Sequence, residues 1–289
     1  MDFTNGKELL ALCRNNNKSI SEIMLARETS LGTLSEKEVL DKLTVSLNIM
    51  KEAAHTPIEA PVKSLGGLIG GEGKMITDYA KENGSLCGSM LTRAIAYAMA
   101  VLEVNGTMGL IVAAPTAGSS GIVPGTLISY CEEFGYDDSI MLKGLVNTSA
   151  IGYLLTRNAS VSGAEAGCQA EVGAASAMAA SALVELQGGT PEMCLHAASI
   201  AMSNLLGLVC DPIAGLVEAP CQSRNAIGVS NAFTCAQLAL SGVKHQIPFD
   251  EMAEAMYHVG CSLPFELRET ALGGNASTPT GCSLCGKCK

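Results

Sequence analysis

Three cysteines, Cys168, Cys210 and Cys221, lie in stretches rich in glycine and proline. Gly163 and Gly167 precede the first, Pro212 follows the second and Pro220 precedes the third. Chain of this kind directs thiolates to a common point and leaves backbone N–H groups free to hydrogen-bond bridging sulfides. Three fixed thiolates suit a [4Fe–4S] cluster with one iron lacking a protein ligand. Such an iron is a Lewis acid that helps a hydroxide leave. Spacing alone leaves two other readings open. A structural zinc site favours closely spaced cysteine pairs, and that spacing occurs at Cys282, Cys285 and Cys288. The cysteines would otherwise be unrelated, because free cysteine behaves as a small buried hydrophobe. Cys87, Cys131, Cys194, Cys235 and Cys261 sit in apolar, helix-like contexts and read as core filler.

Two other segments suit a ligand. Residues 63–74 are rich in glycine, which lets a backbone approach a ligand closely or merely turn. They are not a phosphate-binding loop, since Met75 follows Gly73-Lys74 where a Ser or Thr is needed. Residues 113–125 string together small residues, Thr116, Gly118, Ser119 and Ser120 among them. Successive backbone N–H groups there form an anion nest, and a helix over 124–133 would add its N-terminal partial charge. An ordinary tight turn between buried helices is the alternative.

The elements that must position these residues read as helices. Ser19 with Glu22, and Ser35 with Glu38, have capping-box spacing. The second box opens a helix to about residue 54, with Val39, Leu40, Leu43, Leu47 and Met50 on one face and Pro57 and Pro61 ending it. Further helices are expected from Ser89 to Val104, from Ala174 to Gln187, from Pro191 to about Leu206, from a Ser223 cap to Ser241, and from Asp250 to His258. Residues 1–60 read as an N-terminal helical segment and 61–275 as the main domain. The remaining 276–289 read as a flexible cysteine-rich tail.

Composition supports a mainly α chain. Of 289 residues, 48% are hydrophobic but only 4% aromatic, with no Trp and abundant Ala, Gly and Met. Small residues allow close helix approach, whereas a β-sandwich would need more β-branched and aromatic residues. The net charge of −10, without a basic stripe, argues against nucleic acid, whose phosphates need clustered Lys and Arg. Residues 104–131 carry no charge but hold Pro115, Pro124 and several glycines, a poor membrane span. No signal peptide is visible, so twelve cysteines fit a reducing cytoplasm rather than disulfides.

Four motifs recur together in one family. They are Gly66-Gly-Leu-Ile-Gly-Gly71, Ala114-Pro-Thr-Ala-Gly-Ser-Ser-Gly-Ile-Val-Pro124, Ala166-Gly-Cys-Gln-Ala-Glu-Val-Gly173, and Leu208-Val-Cys-Asp-Pro-Ile-Ala-Gly-Leu-Val-Glu-Ala-Pro-Cys-Gln-Ser-Arg-Asn225. In content and order they resemble the α (catalytic) chain of the iron–sulfur L-serine dehydratases, over most of residues 60–275. The resemblance implies one large helical catalytic domain with glycine-rich loops around an iron–sulfur site. Cys168, Cys210 and Cys221 would hold a [4Fe–4S] cluster, and no pyridoxal phosphate would be needed. L-serine would bind through its hydroxyl and carboxylate, lose water, and end as pyruvate and ammonia. Thr116, Gly118, Ser119 and Ser120 would contact the substrate carboxylate, with Arg224 and Asn225 nearby.

The resemblance also implies a partner. The family's Ser-rich segment with a His-Thr pair belongs to its β part, and this sequence has no such segment. The catalytic base is therefore expected on a β subunit. Some relatives place a cysteine at the extreme C-terminus to cap the open iron, and Cys288 is the first candidate here, although the chain ends in Lys289. Two alternatives from neighbouring and distant classes are a cluster-dependent cysteine desulfidase and a non-catalytic iron–sulfur redox or sensor protein. The first would release sulfide from L-cysteine, and the second would show no substrate-induced spectral change.

Overall fold

A computed structural model describes residues 1–285. Among these the chain is helical, with no strand; one isolated parallel bridge joins Cys210 to Arg268. Its helices, in order, are α1 (Gly6–Asn16), α2 (Ile20–Leu31), α3 (Glu36–Glu59), α4 (Glu72–Asn83), α5 (Ser89–Gly106), α6 (Ile122–Phe134) and α7 (Asp138–Asn158). There follow α8 (Gly163–Ala166), α9 (Ala174–Leu186), α10 (Pro191–Asn204), α11 (Cys221–Leu240), α12 (Phe249–Ser262) and α13 (Pro279–Leu284).

The core is organised around α9. Every residue from Ala174 to Glu185 is buried, so this helix has no solvent face, as a helix inside a larger domain must. Its Ala and Ser side chains let α7, α10 and α11 pack against it closely. The same device joins α5 to α6: a Cβ at Gly125 would lie 2.7 Å from the Ala94 carbonyl oxygen, and one at Gly121 would collide with the Ala98 carbonyl. Polar side chains left inside are paired. Buried Glu185 of α9 accepts from Asn147 Nδ2 of α7 at 2.7 Å and from the Ser21 hydroxyl of α2, which satisfies a carboxylate that would otherwise be costly to bury.

Both capping boxes form, at Ser19–Glu22 and Ser35–Glu38. Several expectations need correction. The α3 helix continues through Pro57 to Glu59. A proline forfeits one backbone bond, but in the last turn the chain still closes with Ala60 N donating to Thr56 O at 2.8 Å. Ser223 does not cap α11. The turn before it is already wound, with Gln222 N donating to Glu218 O and Arg224 N to Pro220 O, so the helix begins at Cys221 and Ser223 Oγ donates to Pro220 O. The α7 helix was not expected at all; Asp137 caps it by accepting from Ser139 N at 2.9 Å. Cys87 and Cys261 are exposed rather than core filler, while Cys131, Cys194 and Cys235 are buried. Burial pushes the Cys131 and Cys235 thiols up to about 12, so they stay protonated and inert. In the tail, Thr278 accepts from Gly281 N and caps α13, so residues 279–284 are helical. Cys288 lies outside the described residues.

Candidate active site

The site is built where three glycine-bearing segments meet. Cys168 follows Gly167, whose φ of +74° few other residues tolerate and whose Cβ would lie 2.6 Å from Leu263 Cδ1. After Cys168, residues 169–173 form a wide π-type turn that runs into α9; such turns recur at functional sites. Gln169 then fixes the approach to Cys210. Its amide takes a hydrogen bond from Gly207 N at 2.9 Å and gives one to Met256 O at 2.9 Å, while its backbone N–H donates to Leu208 O. Cys210 is pinned by its N–H to Leu267 O at 2.8 Å and by Glu269 N to its carbonyl at 2.7 Å. Cys221 is the first residue of α11, rather than outside a helix.

The irregular run from Cys210 to Cys221 is held by its own acids. Glu218 is buried and accepts from Ser64 Oγ at 2.7 Å, Gly66 N at 2.8 Å and Leu68 N at 3.0 Å. The glycine-rich loop after α3 is thereby folded onto the cysteine loop. Asp211 is 2% exposed. One of its oxygens accepts from Arg224 Nη2 at 2.6 Å; the other accepts from the backbone N (2.6 Å) and side chain (2.9 Å) of Asn275.

Arg224, one turn into α11, points inward. Its Nη1 donates to Val209 O at 2.7 Å and to Cys168 Sγ at 3.4 Å. Burial works against its charge, but the Cys168 and Asp211 sulfur and carboxylate hold it above its ordinary value. Asn225 uses its whole amide on backbone: Nδ2 donates to Gly118 O at 2.7 Å and Cys221 O at 2.9 Å, and Oδ1 accepts from Gly121 N at 3.0 Å. It locks the 114–121 loop to the helix that carries Cys221. Within that loop Ser119 and Ser120 are fully buried, with hydroxyls aimed at Ala114 O and Ala117 O. Thr116 is the loop hydroxyl that reaches the cysteines' neighbourhood.

Thr116 Oγ1 meets a residue that motif reasoning had not singled out, Glu171. It donates to Glu171 Oε1 at 2.7 Å, and Glu171 Oε2 lies 3.7 Å from Cys168 Sγ and 3.9 Å from Cys210 Sγ. Two glycines make room for this carboxyl. A Cβ at Gly163 would come within 2.5 Å of Oε2, and one at Gly118 within 3.1 Å of Oε1. Burial pushes Glu171 above the ordinary carboxylate value, partly offset by the Thr116 hydroxyl. The available signal was its isolation: it is the one charge in the apolar run from Ala166 to Leu183.

All three thiols are buried, at 2%, 2% and 6% exposure for Cys168, Cys210 and Cys221. Cys210 is pushed up by its hydrogen bond with Cys168 and by burial, and Cys221 by burial and the nearby Cys168. Metal binding would therefore have to displace their protons, as it does at thiolate sites in general. The donor set fits an iron–sulfur cluster: three thiols from separate segments, shielded from water, with a guanidinium N–H on one sulfur of the kind that tunes such clusters. None of the four histidines is hydrogen-bonded to this site; His55 pairs with Glu132 and His258 with Glu254.

Known proteins resemble this chain over most of its length. The family model described as "Serine dehydratase alpha chain" matches residues 15–276. The "Probable L-serine dehydratase, alpha chain" of Bacillus subtilis (strain 168) is 44% identical over 282 residues, covering 98% of this chain and 94% of that one. The "L-serine dehydratase, alpha chain" of Peptoniphilus asaccharolyticus is 46% identical over 275 residues, covering 95% and 94%. The "L-serine dehydratase" of Streptomyces coelicolor is 37% identical over 282 residues, covering 95% of this chain but 60% of the longer relative. With a family model spanning most of its length and relatives of this similarity, the chain belongs to the serine dehydratase alpha chain family.

Proposed function

We propose that this chain is the α subunit of an L-serine dehydratase, converting L-serine to pyruvate and ammonia. The carrying observation is that buried Cys168 and Cys210 meet at Glu171, with Arg224 on Cys168 and buried Cys221 near enough to feel the charge of Cys168, inside the motifs of a family whose relatives are named for that activity. The chemical problem is a weakly acidic α proton and a poor leaving group. When bound by Cys168, Cys210 and Cys221, a [4Fe–4S] cluster supplies a Lewis acid for the departing hydroxide.

The chain's own residues prepare the rest. The Thr116–Ser120 loop receives the substrate carboxylate: Thr116 turns its hydroxyl from Glu171 to the incoming carboxylate, Gly118 leaves the backbone accessible, and Ser119 and Ser120 hold the loop's shape from inside. Asn225 keeps the loop against Cys221, and Arg224 places positive charge beside Cys168 and the incoming carboxylate. Cys168, Cys210, Cys221 and Glu171 are nearly sealed from bulk water. Loss of water gives aminoacrylate, which tautomerises and hydrolyses without further help. No pyridoxal phosphate enters this scheme.

The base that takes the α proton is assigned to a separate β subunit. Two relatives are named "alpha chain", and the Streptomyces relative named "L-serine dehydratase" is longer by a part that this chain does not match. Among the described residues, no helix is long and apolar enough to cross a membrane, and a cytoplasmic location suits the reduced thiols. A cysteine at the C-terminal end, Cys288 first, is assigned to cap the open iron when substrate is absent.

The test is anaerobic purification, iron and sulfide analysis, and EPR before and after L-serine. About four irons per chain and a serine-dependent spectrum are expected. A protein that stays free of iron after anaerobic reconstitution would overturn the cluster reading. Sulfide release from L-cysteine exceeding pyruvate formation from L-serine would replace the substrate.

A further inference from the structure

Among the described residues, one group of three metal-ligating side chains lies close enough to share a single ion, and it is not the cysteine trio. It is Cys168, Glu171 and Cys210, whose ligand atoms all fall within 4.8 Å of one another; all three residues are buried. Cys221 stands outside this group. A tetrahedral zinc ion with Zn–S near 2.3 Å and Zn–O near 2.0–2.2 Å places its sulfur and oxygen ligands about 3.5–3.7 Å apart. The two sulfur-to-Oε2 distances here are 3.7 and 3.9 Å. A cube of four irons, by contrast, holds its cysteine sulfurs at separate corners, farther apart than the ligands of one ion.

We propose that the cluster-free chain binds one borderline divalent cation, of the zinc or ferrous class, through Cys168 Sγ, Cys210 Sγ and Glu171. The proposal deepens the cluster reading given above, and concerns the state before a cluster is built. The surroundings are those of a ligand shell. Thr116 Oγ1 donates to the oxygen of Glu171 that faces away from the thiols, at 2.7 Å, and Arg224 Nη1 donates to Cys168 Sγ at 3.4 Å. Partners of this kind orient ligands and strengthen metal sites. Two thiolates and a carboxylate attract a divalent ion, and the Arg224 guanidinium, which is shared with Asp211, offsets part of the remaining negative charge. Binding forms two metal–sulfur bonds and one metal–oxygen bond. It releases the thiol protons, and the carboxyl proton where Glu171 carries one, with no change of oxidation state.

Two consequences separate this site from the cluster. Glu171 is needed for the single ion, whereas Cys221 is needed only for the cluster. An ion held at Cys168 and Cys210 occupies two of the three cluster thiols, so zinc there blocks cluster assembly.

The experiment uses the full-length chain, stripped of iron by a chelator under anaerobic, reducing conditions and titrated with Co²⁺. The titration is repeated in a C282S/C285S/C288S variant, so that the tail thiols cannot contribute. Expected are one Co²⁺ per chain with thiolate-to-cobalt charge transfer in the tail variant, the same signal after Cys221→Ser in that background, and at least tenfold weaker binding after Glu171→Gln. Zn²⁺ at one equivalent should displace the Co²⁺ and suppress later iron–sulfide reconstitution. No stoichiometric site in the tail variant, loss of the signal on Cys221→Ser in protein of unchanged helical circular dichroism, or undiminished affinity after Glu171→Gln would each overturn the proposal. Iron–sulfide reconstitution on zinc-free samples reads the cluster separately. A cluster that assembles in protein that ignores Co²⁺ defeats only the single-ion site; Co²⁺ binding in protein that assembles no cluster defeats only the dehydratase chemistry.

Discussion

Arg224 divides one guanidinium between a sulfur and a carboxylate, and both partners are nearly sealed from water. Removing one member of such a buried pair leaves the other charged and unpaired. Arg224→Gln should therefore destabilise the chain by about 3–5 kcal/mol, read from urea unfolding of the cluster-free protein. It should also lower the cluster's reduction potential, since a donor and a positive charge leave one of its sulfurs. Thr116→Ala tests the substrate loop. It removes a hydrogen bond to a buried carboxylate, of the class worth about 1.5–3 kcal/mol, and should raise the KM for L-serine by about tenfold or more while iron content stays unchanged. Residue-level legibility was uneven. The three cysteines stood out because Gly167, Pro212 and Pro220 flank them with chain that cannot be regular helix. Asn225 and Arg224 were visible as polar residues just beyond Cys221, but the assignment of Asn225's amide to three backbone groups was not, because two of them, Gly118 and Gly121, lie in a loop more than 100 residues away in sequence. Glu171 was missed since an acid at a helix start is usually solvated.

At the scale of elements, local chemistry was readable wherever it was self-contained. The Ser19 and Ser35 boxes are complete within four residues, and both formed. The α7 helix was hidden because its buried face includes Asn147, Thr148 and Gly152, which blur an apolar stripe; their burial is decided by α9, far along the chain. Ser223 failed as a cap because Glu218 had already wound the preceding turn. Contact between α5 and α6 depends on the absence of a side chain at Gly121. Gly121→Ala should overpack that seam and destabilise by about 1–3 kcal/mol, seen as a lower urea midpoint with an unchanged slope. The α3–α5–α6 junction contributes one part of the pH dependence. Burial raises Glu132, but hydrogen bonds from His55 and Tyr97 and the charge of Arg93 outweigh it and hold the carboxyl below its ordinary 4.5. A depressed folded value means stabilisation that is complete above the ordinary value and lost as pH falls through the folded one. Glu132→Gln should flatten this acid limb, with urea midpoints at pH 7 and pH 3 drawing closer together than in the parent chain.

At the scale of the whole molecule, the mainly helical build was legible from few aromatics and many small residues, because those choices bias every contact in the same direction. If the base resides on a second polypeptide, mixing the cluster-loaded chain with its β partner should raise pyruvate formation by about 10²–10⁴-fold, the range a positioned general base contributes. Full turnover by the α chain alone would place the base within it.

The alanine-built interior around α9 has a consequence for how this protein tolerates change. A core of leucines is harmed chiefly by losing methylenes, and natural variation can shave it gradually. Here the innermost side chains are already near the minimum size, so a deletion of volume has little to take away. The damaging direction is growth. A saturation library at the alanines and serines of residues 174–182, leaving Met178 unchanged, should accept serine and cysteine and reject valine, leucine and phenylalanine, so this interior is buffered against erosion and intolerant of enlargement.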